Sequence, residues 1–200
     1  MTTQTLMHKH ALICHPETPS RRARGIQVDL SKTRDGAIAI TYWLDAELSL
    51  LSIPEPCTPR RAEKLWLHTC FEAFVAVKGR PEYREYNFSP SGEWAAYTFI
   101  DYRDGGLPAQ NVDPQILVHR GLQELELQAV IGRSCLPQPQ AGADWLVGLS
   151  AVIEEDHGSL SFWALGHRSN RPDFHHRDGF VLSFDPDVDA AGDPSYTVTR

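Results

Sequence analysis

Residues 65–102 read LWLHTCFEAFVAVKGRPEYREYNFSPSGEWAAYTFIDY and contain the clearest strand pattern in the chain. From Leu65 to Val77, alternate positions are almost all apolar, which is the row that a strand needs in order to lie against a core. The intervening row consists of Trp66, His68, Cys70, Glu72, Phe74, Ala76 and Lys78. Aromatic rings interleaved with hydrogen-bonding groups suit a small polar ligand with flat apolar patches, such as a sugar.

A second predicted strand shares this polar face. Its core row contains Tyr86 and Phe88, so Glu85 and Asn87 fall on the opposite row. If the two strands are neighbours, these side chains lie on the same face as Glu72. The two strands together predict a polar surface on one side of a sheet.

Two tryptophans are candidates for stacking on a ligand. Trp66 belongs to the polar row, and Trp163 lies outside the apolar row formed by Phe162 and Ala164. An indole ring stacks on the C–H face of a pyranose, while Glu, Asn and Arg side chains hydrogen-bond its hydroxyls. Tryptophan in a sandwich also serves as a core residue, so the structural interpretation stands beside the functional one.

The remaining chain also predicts strands. Apolar alternation marks residues 12–14, 26–30, 38–44, 94–102, 125–131, 145–154, 159–165 and 180–184. Helical periodicity is nowhere sustained, and Gly and Pro separate the segments. About nine strands with this spacing predict an all-β fold, an antiparallel β-sandwich or barrel. We expect a single domain over residues 1–200, with a core at about 12–184 and a loose acidic tail at 185–200.

Composition excludes several classes of partner. The net charge of −7 argues against nucleic acid, because phosphate neutralisation needs a basic surface. No run of 18 apolar residues occurs, so no membrane span is predicted. The first residues lack the apolar segment of a secretory signal, which predicts a cytoplasmic protein. The four cysteines match no metal-binding spacing and are predicted to be free thiols, at least two of them buried.

Glu72 allows three interpretations. A carboxylate between apolar neighbours needs a partner, and Arg84 or Arg103 would supply a structural ion pair. Glu72 and Glu85 on adjacent strands also fit the acid pair of a glycosidase, whose carboxyls lie about 5–9.5 Å apart. The third interpretation is hydrogen bonding to a bound ligand, with Arg103 contributing. The residues alone do not choose among them.

A second polar cluster, HRSNRPDFHHRDG, spans residues 167–179. His167, Asp173, His175 and His176 are of the types that ligate zinc or iron, but they show no fixed ligand spacing. Pro172 and Asp173 are equally typical of a rigid turn. Nucleophile-elbow, P-loop and dinucleotide-binding motifs are absent.

Three blocks of the sequence carry a family resemblance. They are LWLHTCFEAFV at residues 65–75, YREYNFSPSGEWAAYTFIDYR at 83–103 and SFWALGHRSNRPDFHHRDGF at 161–180. With the strands between them, residues 12–184 resemble a DOMON-like domain of the group related to family-9 carbohydrate-binding modules. The resemblance implies a β-sandwich of jelly-roll or immunoglobulin-like form that binds a sugar or haem on or beside one sheet.

The resemblance also implies roles for individual residues. Glu72 matches the acid of one family strand, and Glu85 with Asn87 matches the acid and amide of its neighbour. Trp66 and Trp163 are the candidates, by block position, for the two tryptophans that clamp a sugar. Haem-binding relatives use methionine, and the chain has only Met1 and Met7, so no haem or other cofactor is expected.

The sequence therefore predicts a non-catalytic module that binds a saccharide or sugar derivative. The predicted ligand-binding residues are Trp66, Glu72, Glu85, Asn87, Arg103 and Trp163, with His167 and His175 at the rim. The first alternative is an enzyme that acts on a sugar-like substrate through Glu72, Glu85 and a loop histidine. The second is a protein-interaction module, including a homodimer.

Overall fold

The computed structural model describes residues 9–140, 142–186 and, for the backbone only, 196–198. These residues contain thirteen strands: β1 His10–Cys14, β2 Ala23–Lys32, β3 Ile38–Ala46, β4 Cys70–Val77, β5 Tyr83–Phe88, β6 Trp94–Asp101, β7 Asp104–Pro108, β8 Gln115–Arg120, β9 Glu124–Ile131, β10 Trp145–Glu154, β11 Leu160–Ala164, β12 Leu182–Phe184 and β13 Tyr196–Val198. The helices in this part of the chain are four 3₁₀ turns, Leu48–Leu50, Leu65–Leu67, Arg133–Cys135 and Arg177–Gly179. None of these helices is long and apolar enough to cross a membrane.

The strands form an antiparallel β-sandwich, as predicted. Sheet I has the order β1-β2-β3-β9-β8, and sheet II has the order β7-β6-β5-β4-β10-β11-β1. Strand β1 joins the two sheets, since its first residues pair with β2 and its last two pair with β11. Strands β12 and β13 extend sheet II beside the first half of β10. The count exceeds the expected nine because β7, β8 and β13 lie outside the segments whose apolar residues predict strands.

The main core lies between the two sheets. Strand β4 contributes Phe71, Ala73, Val75 and Val77 to it, which is the apolar row that the sequence predicts. Strand β3 meets this row from sheet I, where Tyr42 is fully buried and its hydroxyl donates to the backbone oxygen of Glu72 at 2.7 Å. Burying each large side chain of this kind contributes about 1.5–3 kcal/mol.

A second apolar cluster covers part of the outer face of sheet II. Its members are Leu65, Cys70, Phe74, Ala76, Tyr83, Ala95, Tyr97, Phe99 and Phe180. Phe180 lies flat against β10 because Gly148 has no side chain, and a Cβ at that position would come within 2.7 Å of the phenyl ring. The segment from 165 to 181 is thereby held over one half of the sheet.

Two local predictions differ from the structure. Leu65–Leu67 forms a 3₁₀ turn instead of the start of a strand, and β4 begins only at Cys70. Lys64 precedes this turn with a φ of 60°, in the left-handed region, which is incompatible with a continuous strand. Residues 196–198 of the expected loose tail form a strand paired with β12, and residues 187–195 and 199–200 lie outside the described residues.

Candidate functional site

The outer face of sheet II contains a cavity of about 370 Å³. Strands β4 to β7, β10 and β11 contribute to it, together with the 3₁₀ turn before β4 and the segment 172–175. Its aromatic lining consists of Trp66, Tyr97, Phe99, Phe162 and Phe174. Its ionisable or polar lining consists of Glu72, Glu85, Arg103 and His175. This volume lies at the lower end of the range of about 300–1,000 Å³ found for small-ligand sites.

The floor of the cavity carries the two predicted acids. Glu72 is 3% exposed and Glu85 is 6% exposed. Glu72 pairs in register with Asn87, and Glu85 pairs with Phe74, so the two carboxyls are diagonal neighbours on β4 and β5. The fully buried Asn87 lies beneath them and donates from Nδ2 to Oε1 of Glu85 at 2.7 Å. Asn87 thus positions Glu85 and does not line the cavity itself.

Burial changes the protonation of both acids. Desolvation raises the pKa of Glu72 well above its ordinary value, and the nearby charge of Glu85 raises it further. Desolvation also raises the pKa of Glu85 to about 7, although the bond from Asn87 and the charge of Arg103 oppose the rise. The raised pKa favours the protonated, hydrogen-bond-donating form of Glu72, although Ser150 opposes the rise, and at pH 7 Glu85 is divided between its acid and carboxylate forms.

The predicted structural ion pair of Glu72 does not form among the described residues. Arg84 donates to the carbonyl oxygen of Cys135 at 2.5 Å, and Arg103 pairs with Asp173 at 2.8 Å. Ser150 faces Glu72 from β10, but its Oγ has no partner of hydrogen-bonding geometry. The carboxyl of Glu72 remains directed at the cavity.

His175 is held as a neutral imidazole of one tautomer. Burial, together with the charge of Arg103, lowers its pKa to about 4, although the charge of Asp173 opposes the change. The hydroxyl of Tyr83 accepts from the backbone N–H of Arg103 at 3.1 Å, which leaves its own proton to donate to Nδ1 of His175 at 2.8 Å. The remaining proton then sits on Nε2, which lies 3.7 Å from Oε2 of Glu85. Because the ring is neutral at pH 7, this contact is not a salt bridge there.

Asp173 ties the segment 172–175 to the turn between β6 and β7. Its carboxylate accepts from the guanidinium of Arg103 at 2.8 Å, from the hydroxyl of Tyr102 at 2.6 Å and from the backbone N–H of His175 at 3.2 Å. Arg103 adopts a φ of 53°, the left-handed conformation that a tight hairpin turn requires. This wall of the cavity is therefore braced by side-chain bonds from two parts of the chain.

Trp66 supplies an accessible indole at the cavity. It stands on the 3₁₀ turn, is 37% exposed and meets the ring of Tyr97 edge-on, with ring centroids 5.7 Å apart. Tyr97 is fixed in turn by a bond from its hydroxyl to Glu63 at 2.7 Å. Trp66 lines the cavity from a turn and not from a strand, and its stacking on a ligand stays a prediction.

Trp163 does not belong to the site, and the prediction that it stacks on a ligand is wrong. Its indole is 6% exposed within the core between the sheets, and its Nε1 donates to Oγ of Ser161 at 2.9 Å. Phe162, the neighbouring residue on β11, faces the cavity instead. The sequence misassigns the two faces because the outward row, which includes Phe162 and Ala164, is the more apolar one.

His167 also lies outside this cavity, so its predicted place at the rim is wrong. It lines a separate depression of about 350 Å³ beside His15 and donates from Nε2 to the backbone oxygen of Ile13 at 2.8 Å. His176 accepts from the N–H of Asp178 in its own turn. Within the described ranges, no three His, Cys, Asp or Glu side chains gather as metal ligands.

The sequence reasoning misses most of the aromatic lining. Tyr97 and Phe99 occupy alternate positions of β6, on the face shared with Glu85 of β5, and this alternation would have revealed them. Phe174 carries no periodic signal, since it lies in an irregular segment. Its place depends on the anchoring of Asp173.

The chain is thus an antiparallel β-sandwich with an aromatic and acidic cavity on the outer face of one sheet. Solved structures share this fold. One is a candidate carbohydrate-binding protein from Bacteroides uniformis, with a TM-score of 0.59 and 16% identity over 84% of this chain and 82% of that one.

Two others are structures of a family 9 carbohydrate-binding module from Caldicellulosiruptor kristjanssonii. The complex with cellotriose has a TM-score of 0.54 and 8% identity, over 80% of this chain and 72% of that one. The complex with glucose has a TM-score of 0.51 and 9% identity, over 80% and 74%. No protein-family model and no curated protein sequence matches the chain. The similarity therefore defines the fold alone.

Proposed function

We propose that the protein binds a small saccharide in the cavity on sheet II without transforming it. The observation that carries this proposal is the convergence of an exposed indole with buried hydrogen-bonding groups on one cavity of about 370 Å³. That volume suits one or two sugar rings. The carbohydrate complexes of a module with the same fold support the proposal at the level of architecture. We also propose that the protein belongs to the DOMON-like group.

The side chains offer complementary hydrogen-bonding roles to sugar hydroxyls. Glu72 donates as a neutral acid, Glu85 accepts in its carboxylate form, and His175 donates from Nε2. The indole of Trp66 provides the flat surface on which the C–H face of a ring packs. These groups are fixed before binding by Asn87 and by the contacts of the segment 172–175, so little ordering accompanies binding.

The arrangement of the acids favours binding over hydrolysis. Glycosidases place their two carboxyls on either side of the bond that breaks. Glu72 and Glu85 are diagonal neighbours on one face of sheet II, so both carboxyls lie on the sheet side of the cavity. A sugar in this cavity would meet both acids on the same side.

Tryptophan fluorescence during titration with mono- and oligosaccharides tests the proposal. We expect a saturable change with one class of sugar, and we expect Trp66→Ala to weaken binding. Trp43→Ala is the matched control, because Trp43 lies on the outer face of sheet I with its Nε1 bonded to Glu126. A folded protein that responds to no saccharide, or equal weakening by both variants, would refute the proposal.

An enzyme acting on a sugar-like substrate is a second candidate, favoured by one observation. The pKa of Glu85 lies near 7 next to the neutral acid Glu72, and such a pair can exchange protons with a bound substrate. Incubation with aryl glycosides and reducing oligosaccharides tests this candidate. Turnover that is lost in Glu85→Gln would establish it, and binding without turnover would exclude it.

A further inference from the structure

The two acids at the floor of the cavity lack a cationic partner. No lysine or arginine nitrogen in the described ranges lies within 4.0 Å of either carboxyl. The nearest basic group is His175, at 3.7 Å from Glu85, and its lowered pKa leaves it uncharged at pH 7. Buried carboxyls are ordinarily paired. Among the described residues the other buried carboxyl is that of Glu155, which accepts from the hydroxyl of Ser20 and from the backbone N–H groups of Arg21 and Arg22.

Arg103, which lines the cavity, already has a carboxylate partner other than the two acids. Arg103 forms its ion pair with Asp173, and the Tyr102 hydroxyl binds the other carboxylate oxygen of that aspartate. The other polar or titratable groups near Glu85 are the hydroxyls of Tyr83 and Tyr97, the amide of Asn87 and the acid of Glu72, none of which carries positive charge. The Arg103–Asp173 pair contributes no net charge, and so the cavity is left acidic.

The walls of the cavity add a second, independent feature. Trp66, Tyr97, Phe99, Phe162 and Phe174 surround the acids with aromatic rings. The face of an aromatic ring attracts a cation within about 6 Å, and such rings together with carboxylates form the usual environment of a bound ammonium group. A neutral sugar can use the stacking ring and the hydrogen bonds of the two acids, whereas a cationic group also gains from their charge.

We propose that the saccharide recognised by this cavity carries an ammonium group, as in an amino sugar, and that the ammonium group binds between Glu72 and Glu85. This inference rests on the proposed function, since it specifies the ligand of the same site. The ammonium N–H groups donate to both carboxyls, while the sugar ring packs on Trp66. The ammonium group of the ligand thereby supplies a positive charge next to the two carboxyls.

Binding of the ammonium group releases a proton from the protein. In the free cavity the raised pKa of Glu72 favours its protonated form, and at pH 7 Glu85 holds a proton in part of the molecules. A cation between them favours the ionised form of each, so up to two protons leave to solvent as the complex forms. Affinity accordingly rises with pH until the ligand amine loses its own proton.

Isothermal titration calorimetry with three matched ligands tests the inference. The ligands are glucosamine, glucose and N-acetylglucosamine, in which the amine is present, replaced by hydroxyl, or acylated and neutral. Galactosamine and mannosamine with their parents extend the comparison. We expect an amino sugar to bind at least tenfold more tightly than its neutral counterparts, with a heat that changes with the ionisation enthalpy of the buffer, as proton release requires.

The outcomes separate the two proposals. Equal or tighter binding of the neutral sugars overturns this inference and leaves saccharide binding intact. Absence of binding by every sugar overturns the proposed function itself. Binding of choline as tightly as any amino sugar also overturns both, because it would identify a cation site without saccharide recognition.

A pair of variants locates the effect. Glu85→Gln retains the oxygen that accepts from Asn87 and removes the charge, so the preference for the amino sugar and the proton release should both fall. Glu124→Gln is the matched control, because Glu124 is exposed on β9 of sheet I. An amino-sugar preference unchanged in Glu85→Gln, or reduced equally in both variants, contradicts the inference.

Discussion

Replacing Glu85 by glutamine is expected to stabilise the protein, and increasingly so as the pH rises. The folded protein holds the pKa of this carboxyl at about 7, against an ordinary value of 4.5. Between these values the folded state binds more protons than the unfolded state, so stability falls as pH increases. At about 1.4 kcal/mol per pH unit, the ionised Glu85 costs about 3 kcal/mol above pH 7.

Glutamine has no such dependence. We therefore expect Glu85→Gln to match the wild type at pH 4.5 and to exceed its free energy of unfolding by about 3 kcal/mol at pH 8. For a domain of this size the difference corresponds to a midpoint roughly 6–12 °C higher. Urea unfolding and thermal melts across pH 4.5–8 measure it, with Glu124→Gln as control. A difference that is zero at pH 8, or constant with pH, refutes the electrostatic description of the cavity.

Four further substitutions test other parts of the structure. Trp66→Ala should weaken saccharide binding about tenfold, because ~1.4 kcal/mol of stacking is lost. Trp163→Ala should instead lower the free energy of unfolding by ~3–5 kcal/mol, because it leaves a cavity in the core. A reversal of the two effects would contradict the positions of these residues. Tyr83→Phe should release the histidine that it orients, so that ¹⁵N spectra show a mixture of tautomers in place of one, and an unchanged spectrum would argue against the bond. Gly148→Ala should lower the free energy of unfolding by ~1–3 kcal/mol, because a Cβ there overlaps the phenyl ring of Phe180. An unchanged melting temperature would show that this ring can move aside.

The faces of β4 and β5 could be predicted because successive side chains of a strand point to opposite faces of the sheet. On β4 the core row of Phe71, Ala73, Val75 and Val77 is apolar throughout, which places Glu72 on the opposite face. On β5 the core residues Tyr86 and Phe88 place Glu85 and Asn87 on that same face. The same rule fails on β11. There Ser161 satisfies the indole of Trp163 inside the core, and the apolar Phe162 faces outward.

The rest of the cavity depends on tertiary contacts that no local pattern encodes. His175 and His167 occur in one loop and have equal chemistry, yet only His175 reaches the acids. The difference arises from Asp173, whose bonds to the distant turn at Arg103 fold the segment 172–175 over the sheet. Sequence spacing contains no information about that pairing, since the partners are 70 positions apart.

The alternation along β4, β5 and β6 has a consequence for how this protein can diversify. Cavity-facing and core-facing residues are interleaved one by one, so a substitution at a cavity-facing position leaves the packing between the sheets intact. The lining of the cavity can therefore change while the fold is retained. A single inserted residue within any of these strands would exchange the two sets and expose the core. Among homologues we therefore expect residue substitutions within these strands. Insertions and deletions should be confined to the turn that carries Trp66 and to the segment 165–181.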